Sequence, residues 1–325
     1  DNYEPRECFH CFEQGELKVK IKEYISQRNS VVRATDETKV TDVTIKPNLL
    51  AYTPMDQNTI SIIMEYFGSW WDFKDSNLSG LNLSGLNLKG YSFTDCNFDG
   101  CNLSSCDLSQ VVFTNCSMIR TRLDNITTKN THFNKCVLNG AIFTGLFNNV
   151  TMSETSLIYA RFKEAVVTDS TINKCEIAKS RFRKTYLDNC SFISLDMTTA
   201  RFLDTSLVNS RIIRTILADL NLDGMDFSGS TLTLSNLHSC SLIGAKFNKC
   251  NFTAVFMMKV NASEAIFNES TFQCTDLSGS NLRQASFLDI TLNECTVKDT
   301  QFKGAIFTSK YTLARSFFDG VASRP

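Results

Sequence analysis

Proline is almost missing from this chain. Of 325 residues only Pro5, Pro47, Pro54 and Pro325 are proline, and none lies between residues 55 and 324. A segment of that length without proline is suited to continuous backbone ladders, since proline has no N–H to contribute. Histidine is equally scarce: His10, His132 and His238 are the full set. No glycine-rich phosphate loop and no nucleophile elbow occurs. No apolar run is long enough to span a membrane, and no signal-peptide pattern is expected. The only metal-like cluster is Cys8-Phe9-His10-Cys11. A structural zinc site needs four ligands, and no second pair lies nearby, so the cluster reads as incidental thiols in a short helix or loop. No metal, no cofactor and no catalytic residue is expected.

What the chain does have is repetition. Residues 76 to 90 read SNLSG LNLSG LNLKG. Leucine, phenylalanine or another large apolar residue then returns at every fifth place through Phe302 and Phe307, making 47 consecutive pentapeptides with one slip. The slip falls between Phe143 and Phe147, four places apart. Two places before each large residue stands a second position that is usually small, as in Cys96, Cys101, Ala141, Ala160 and Ser180, with Leu81, Leu86, Tyr91 and Leu220 as bulky exceptions. The place just before the large residue is often Asn or Asp, as in Asn77, Asn102 and Asp276.

A period of five suits neither a helix, with its period near 3.6, nor a strand, with its period of two. It suits one short extended segment plus one tight turn. Four such units close a square coil, and coils stack at the strand spacing of ~4.8 Å. Residues 20 apart then lie one above another. Phe93, Phe113 and Phe133 form one expected stack, Phe162, Phe182 and Phe202 a second, and Phe227, Phe247, Phe267, Phe287 and Phe307 a third. About twelve coils make a rod of ~55 Å. The slip should bend or pinch the rod near residues 145 to 149.

The spelling of SNLSG, LNLSG, CNLSS, CDLSQ and SNLRQ resembles the pentapeptide-repeat family over residues 76 to 307. The resemblance implies an all-β solenoid, a right-handed quadrilateral β-helix. Three segments are expected: a small α+β module over residues 1–72, the β-helix over 73–309, and a C-terminal cap or tail over 310–325. In the module, Leu17, Val19 and Ile21 alternate with lysines like a half-exposed strand. Thr53, Pro54 and Asp56 read as the start of a helix whose Ile60, Ile63, Met64 and Phe67 stripe lids the first coil. At the far end Lys310 and Arg315 fall on small inward places, and residues 311 to 322 read as a short capping turn or helix.

Ten of the thirteen cysteines occupy the small inward place. Buried, reduced thiols acting as small apolar groups account for this, and parallel side chains one coil apart fit disulfide geometry poorly. A reducing compartment is expected, either a bacterial cytoplasm or a host cytosol. His132, His238 and Cys274 fall on outward places, with His238 about two coils from Cys274, too far for a nucleophile pair.

The outer surface carries one pattern. Arg161, Arg181 and Arg201 each precede a stacked phenylalanine and form an exposed column, flanked by Lys163, Lys179, Arg183 and Lys184. Such a column suits an anionic partner, an acidic protein or an anionic membrane surface, with nucleic acid ranked below both. The competing reading is a solvated face relieved by Glu164, Glu176 and Asp204. Taken with the family resemblance, this gives a non-enzymatic binding rod. Long members with a small N-terminal module look like effectors that bacteria inject into host cells by type III secretion. An enzyme using the N-terminal module ranks last among the readings, and a second role, implied by the resemblance, is the DNA mimicry of quinolone-resistance members that bind gyrase. Those rods are strongly acidic, whereas this chain has a net charge of −1.

Overall fold

The structure is a computed structural model that describes residues 72–308 and 312–316. The N-terminal module with its expected strands and capping helix, the Cys8–Cys11 cluster and Lys310 lie outside the described residues.

The described chain is an all-β solenoid of about twelve turns without a helix. Its strands are mostly three residues long and pair in parallel with the strand one coil away. Phe73 pairs with Phe93, Phe93 with Phe113, and Phe113 with Phe133, each step advancing 20 residues. Four pentapeptides therefore close one coil. We call the four walls the first to fourth sides. The first side carries the inward column Phe93, Phe113 and Phe133; the second carries Phe98, Met118 and Leu138. The third carries Phe162, Phe182 and Phe202, and the fourth Phe227, Phe247 and Phe267.

The large residues fill the interior as expected. Ring centroids of Phe93 and Phe113 lie 5.2 Å apart, and those of Phe113 and Phe133 lie 5.0 Å apart. On the third side the steps are 4.7 Å from Phe162 to Phe182 and 5.0 Å from Phe182 to Phe202. The fourth-side stack runs from Phe227 to Phe307 in steps of 4.8 to 5.1 Å. The rings are nearly parallel at the strand spacing, so the ladder itself sets their separation.

Hydrogen bonding explains the remaining positions of the repeat. Where Asn or Asp precedes the large residue, its side-chain oxygen accepts from the amide two places on, as Asn102 does from Ser104 at 3.0 Å and Asp276 from Ser278 at 2.9 Å. The amide of the next inward small residue then closes a turn onto the large residue's carbonyl, as Cys101 does onto Phe98 at 2.9 Å. Positive φ at the third residue of that turn makes it type II. The corner residue adopts positive φ in nearly every unit, whether it is Gly80 at +72° or Leu234 at +52°.

Cys, Ser and Thr suit the small inward place for a second reason besides size. A hydroxyl or thiol there donates to the carbonyl of the large residue 23 places earlier. Thr131 reaches Leu108 at 2.8 Å, Ser280 reaches Met257 at 2.8 Å, and Cys250 reaches Phe227 at 3.0 Å. Such a group satisfies itself inside a core that would otherwise penalise it.

The slip is accommodated in one corner. Phe133 pairs with Met152 and Phe143 with Phe162, offsets of 19, and the offset returns to 20 at Gly145 and Ala165. Gly145 serves as both corner and inward small residue, with φ of +89°. A Cβ there would stand 3.0 Å from Asn125 Cα. Two sides fuse into a single strand, Ile142–Asn148. Just beyond it, an apolar interior void of about 20 Å³ is bounded by Phe147, Val150, Met152, Phe162 and Val167.

The C-terminal end departs from the expectation. Thr312–Ala314 is a strand paired with Thr291–Asn293 at an offset of 21, so one extra residue enters the last coil. That shift moves Arg315 from the expected inward place to an exposed corner, where it pairs with Glu294 at 3.2 Å. Residues 312 to 314 extend the ladder and are not a helix.

Candidate functional site

The third side positions the basic residues. Arg161 and Lys163 lie on the strand Arg161–Thr168, Arg181 and Arg183 on Arg181–Arg183, and Arg201 on Arg201–Leu203. In each strand the central phenylalanine faces the core, with Phe162 and Phe182 buried and Phe202 partly buried, so the flanking side chains point out. The ladder sets Arg161 opposite Arg181 and Arg181 opposite Arg201. Lys163 stands opposite Arg183, and the column then changes to Leu203. Lys179 and Lys184 occupy the corners on either side of Arg181–Arg183, at φ of +58° and +50°. All seven basic side chains are exposed and fall on one wall and its two edges.

None of the seven has an ion-pair partner among the described residues. The ion pairs there join Arg122 to Asp124, Lys135 to Glu154, Lys249 to Glu269, and Arg315 to Glu294. The three acids expected to relieve the column are placed otherwise. Glu164 and Asp204 stand at corners in the same column as Lys184 without bridging to a cation, and Glu176 accepts from Ser156 at 3.2 Å. One basic residue has a neutral partner that the repeat pattern did not reveal. Lys179 Nζ donates to the Tyr159 hydroxyl at 3.0 Å and sits 5.2 Å from its ring centroid. That hydroxyl raises the Lys179 pKa. Tyr159 is itself a corner residue, exposed beside the column. The 20-residue spacing from Tyr159 to Lys179 was the signal available for this pair.

Nothing else in the described residues converges on chemistry. No group of three His, Cys, Asp or Glu side chains there could hold a metal ion. Cys274 is exposed, with its sulfur 3.4 Å from Glu294 Oε2 and 3.2 Å from Gln273 Nε2, and no histidine joins it. The other described cysteines are buried free thiols. Burial pushes Cys101 and Cys250 up to about 12, and Cys106, Cys175, Cys190 and Cys240 up to about 11. These thiols stay protonated and unreactive at neutral pH. Among the described residues no helix is long and apolar enough to cross a membrane.

Comparisons with known proteins agree with the architecture. Residues 71–143 match a family described as a pentapeptide repeat region. Residues 215–253, 254–284 and 270–308 match pentapeptide repeats (8 copies), and the matches together cover slightly more than half of the chain. A search of curated proteins finds no match. Among solved structures, HetL is a pentapeptide repeat protein involved in heterocyst differentiation regulation from the cyanobacterium Nostoc sp. strain PCC 7120. It is 19% identical over 77% of this chain and 94% of its own, with a TM-score of 0.40. A trypsin-treated variant of QnrB1, a plasmid-mediated fluoroquinolone resistance protein, is 19% identical over 57% of this chain and 84% of its own, with a TM-score of 0.38. A pentapeptide repeat protein of the Arabidopsis thaliana thylakoid lumen is 25% identical over 26% of this chain and 60% of its own, with a TM-score of 0.26. The matched families describe repeats and indicate no catalytic activity. With its period, its 20-residue ladder and these two family matches, the chain belongs to the pentapeptide-repeat family.

Proposed function

We propose that the protein is a non-enzymatic binding rod whose third side docks onto an acidic protein surface through Arg161, Lys163, Lys179, Arg181, Arg183, Lys184 and Arg201. One observation carries the reading: Arg161, Arg181 and Arg201 stand in register without an ion-pair partner among the described residues. At the ~4.8 Å strand spacing, two like charges in water repel by roughly 1 kcal/mol per neighbouring pair. Carboxylates from a partner would reverse the sign of that term, and bidentate arginine contacts would add direction.

The test is affinity capture from host and bacterial lysates with the wild type and with Arg161→Glu, Arg181→Glu and Arg201→Glu combined. Loss of a specific acidic partner with the reversal supports the site; an unchanged set of partners sinks it. Vesicles bearing phosphoinositides serve as the parallel arm. Reversal-sensitive vesicle binding without a protein partner would assign the wall to a membrane surface instead. A gyrase supercoiling assay covers the DNA-mimic alternative. A mimic needs an acidic wall, so no inhibition is expected.

We also read the protein as a virulence effector, secreted by a bacterium through type III secretion and acting in host cytosol. The supports are the small N-terminal module expected from the sequence ahead of a long β-helix, and a set of free buried thiols suited to a reducing compartment. A translocation reporter fused to the chain tests this; no delivery into host cells would refute it.

A further inference from the structure

The stacked ladder is interrupted on the third side, and the interruption faces the end of the arginine column. Arg201–Leu203 pairs downward with Arg181–Arg183, but no bridge or hydrogen bond joins residues 199–204 to residues 219–224 above them. One coil lower the corresponding bonds exist, Arg201 N–H to Ser180 O at 2.9 Å and Lys184 N–H to Leu203 O at 2.8 Å. One coil higher they exist again, Ser241 N–H to Leu220 O at 2.9 Å and Gly224 N–H to Ile243 O at 2.8 Å. The amides of Phe202, Asp204 and Asn221 and the carbonyl of Ala200 are therefore left without their ladder partners. The opening is a cleft of about 930 Å³. Phe202, unlike the buried Phe182 beneath it, is only partly buried there, and Leu203 is 56% exposed.

The cause is legible in the small inward place. After the first coil, Leu195, Leu220 and Met225 are the only described residues there with a long side chain unbranched at Cβ. Val111, Val255, Val260 and Ile290 at equivalent places keep their ladders, as in Phe256 N–H to Ser235 O at 3.0 Å. Leu220 must fit between Ala200 and Cys240, and Met225 between Thr205 and Ala245. The bond from Asp226 N–H to Thr205 O is also missing. Leu195 shows the same effect on the second side, where no bridge joins Glu176 to Asp196. Overfilling a packed interior displaces backbone, and here the displacement parts two coils.

We propose that this cleft is a strand-addition site for an extended segment of the partner protein, carrying an acidic residue followed directly by phenylalanine. A row of unpaired strand-edge groups is complementary to another strand, more than to a small molecule. Added in the parallel sense of the ladder, the segment would set one side chain above Arg201 and the next above Phe202. The first would continue a column of three arginines and must be acidic to relieve it. The second would extend the ring stack Phe162, Phe182 and Phe202 and cover the open face of Phe202. The inference rests on the third side being the binding wall and names what part of the partner it holds.

The probe is a capped eight-residue synthetic peptide with a central Glu-Phe pair. Controls carry Lys-Phe at the centre, or the same Glu-Phe pair with the Phe amide N-methylated. Hydrogen exchange is followed in the full chain. In the free protein the amides of Phe202, Asp204 and Asn221 are expected to exchange at least ~100-fold faster than those of Lys184, Leu222 and Ser241, because only the latter sit in closed ladders. The Glu-Phe peptide should slow the open amides at about 1 mM or below, and either control should weaken binding at least ~10-fold. The double variant Leu220→Ala, Met225→Thr should close the cleft and abolish peptide binding. It leaves Arg161, Arg181 and Arg201 in place, so capture through the arginine column persists if that reading holds and the cleft reading fails. Slow exchange at Phe202, Asp204 and Asn221 in the free protein overturns the proposal. So does peptide binding that survives the double variant or N-methylation, or the absence of any protection at about 1 mM.

Discussion

Raising the pH should unfold this rod abruptly, and the buried thiols should be the reason. Cys101, Cys116 and Cys250 are pushed up to about 12, and Cys106, Cys175, Cys190 and Cys240 to about 11, from an ordinary value of 9.0. Burial is the leading cause for all but Cys116, whose first cause is its thiol neighbour Cys136. A raised folded pKa means that the folded state holds its proton after the unfolded chain has lost it. The stabilisation is complete below pH 9 and drains away between 9 and 11 to 12. Each thiol then costs about 1.4 kcal/mol per pH unit. The six raised chiefly by burial together cost roughly 8 kcal/mol per pH unit, close to a typical domain's entire stability; Cys116 is left out because its neighbour Cys136 is lowered by the same contact. An alkaline unfolding midpoint near pH ~10 follows for a stability of about 10 kcal/mol. Cys101→Ala, Cys106→Ala and Cys250→Ala combined leave three such thiols, Cys175, Cys190 and Cys240, and should raise that midpoint by about 1 pH unit or more. The assay is far-UV circular dichroism against pH under reducing conditions, with urea melts at neutral pH to measure any direct packing loss. A midpoint unmoved by the triple variant, once corrected for that loss, would refute the assignment of the alkaline transition to these thiols.

Three further outcomes test the corners and the core. Gly145→Ala places a Cβ 3.0 Å from Asn125 Cα at φ of +89° and should cost roughly 2 to 3 kcal/mol in urea melts. Leu234→Gly relieves an exposed left-handed corner at φ of +52° and should stabilise by about 0.5 to 1 kcal/mol, with the gain read as a higher urea midpoint. Ser180 has a buried hydroxyl without a partner, whereas Ser270 donates to Phe247 O and accepts from Cys250 N–H. Ser180→Ala should be neutral or stabilising, and Ser270→Ala should cost about 1 to 2 kcal/mol.

The period of five, the four-unit coil, the ring stacks and the columns were all legible beforehand, because each depends only on which residue stands 20 places away. Inward and outward assignments followed from the same count, which is why Arg161, Arg181 and Arg201 could be aligned before any coordinate existed. The count went wrong where the backbone changed length: it moved Arg315 outward by inserting one residue beyond Phe307. It also could not show whether Glu164 or Asp204 reaches a cation. A long side chain at a corner can turn either way, and only the folded surface settles it.

Sequence alone thus determined the architecture of this protein, since a strict repeat with one large and one small inward residue has few ways to bury both. The three-dimensional structure decided where that regularity fails. Leu195 and Leu220 look like tolerable exceptions in a list of residues, and only stacking them on Cys175 and Ala200 shows two ladders parted. Fit between neighbouring coils is a property of three layers at once, and no single pentapeptide contains it.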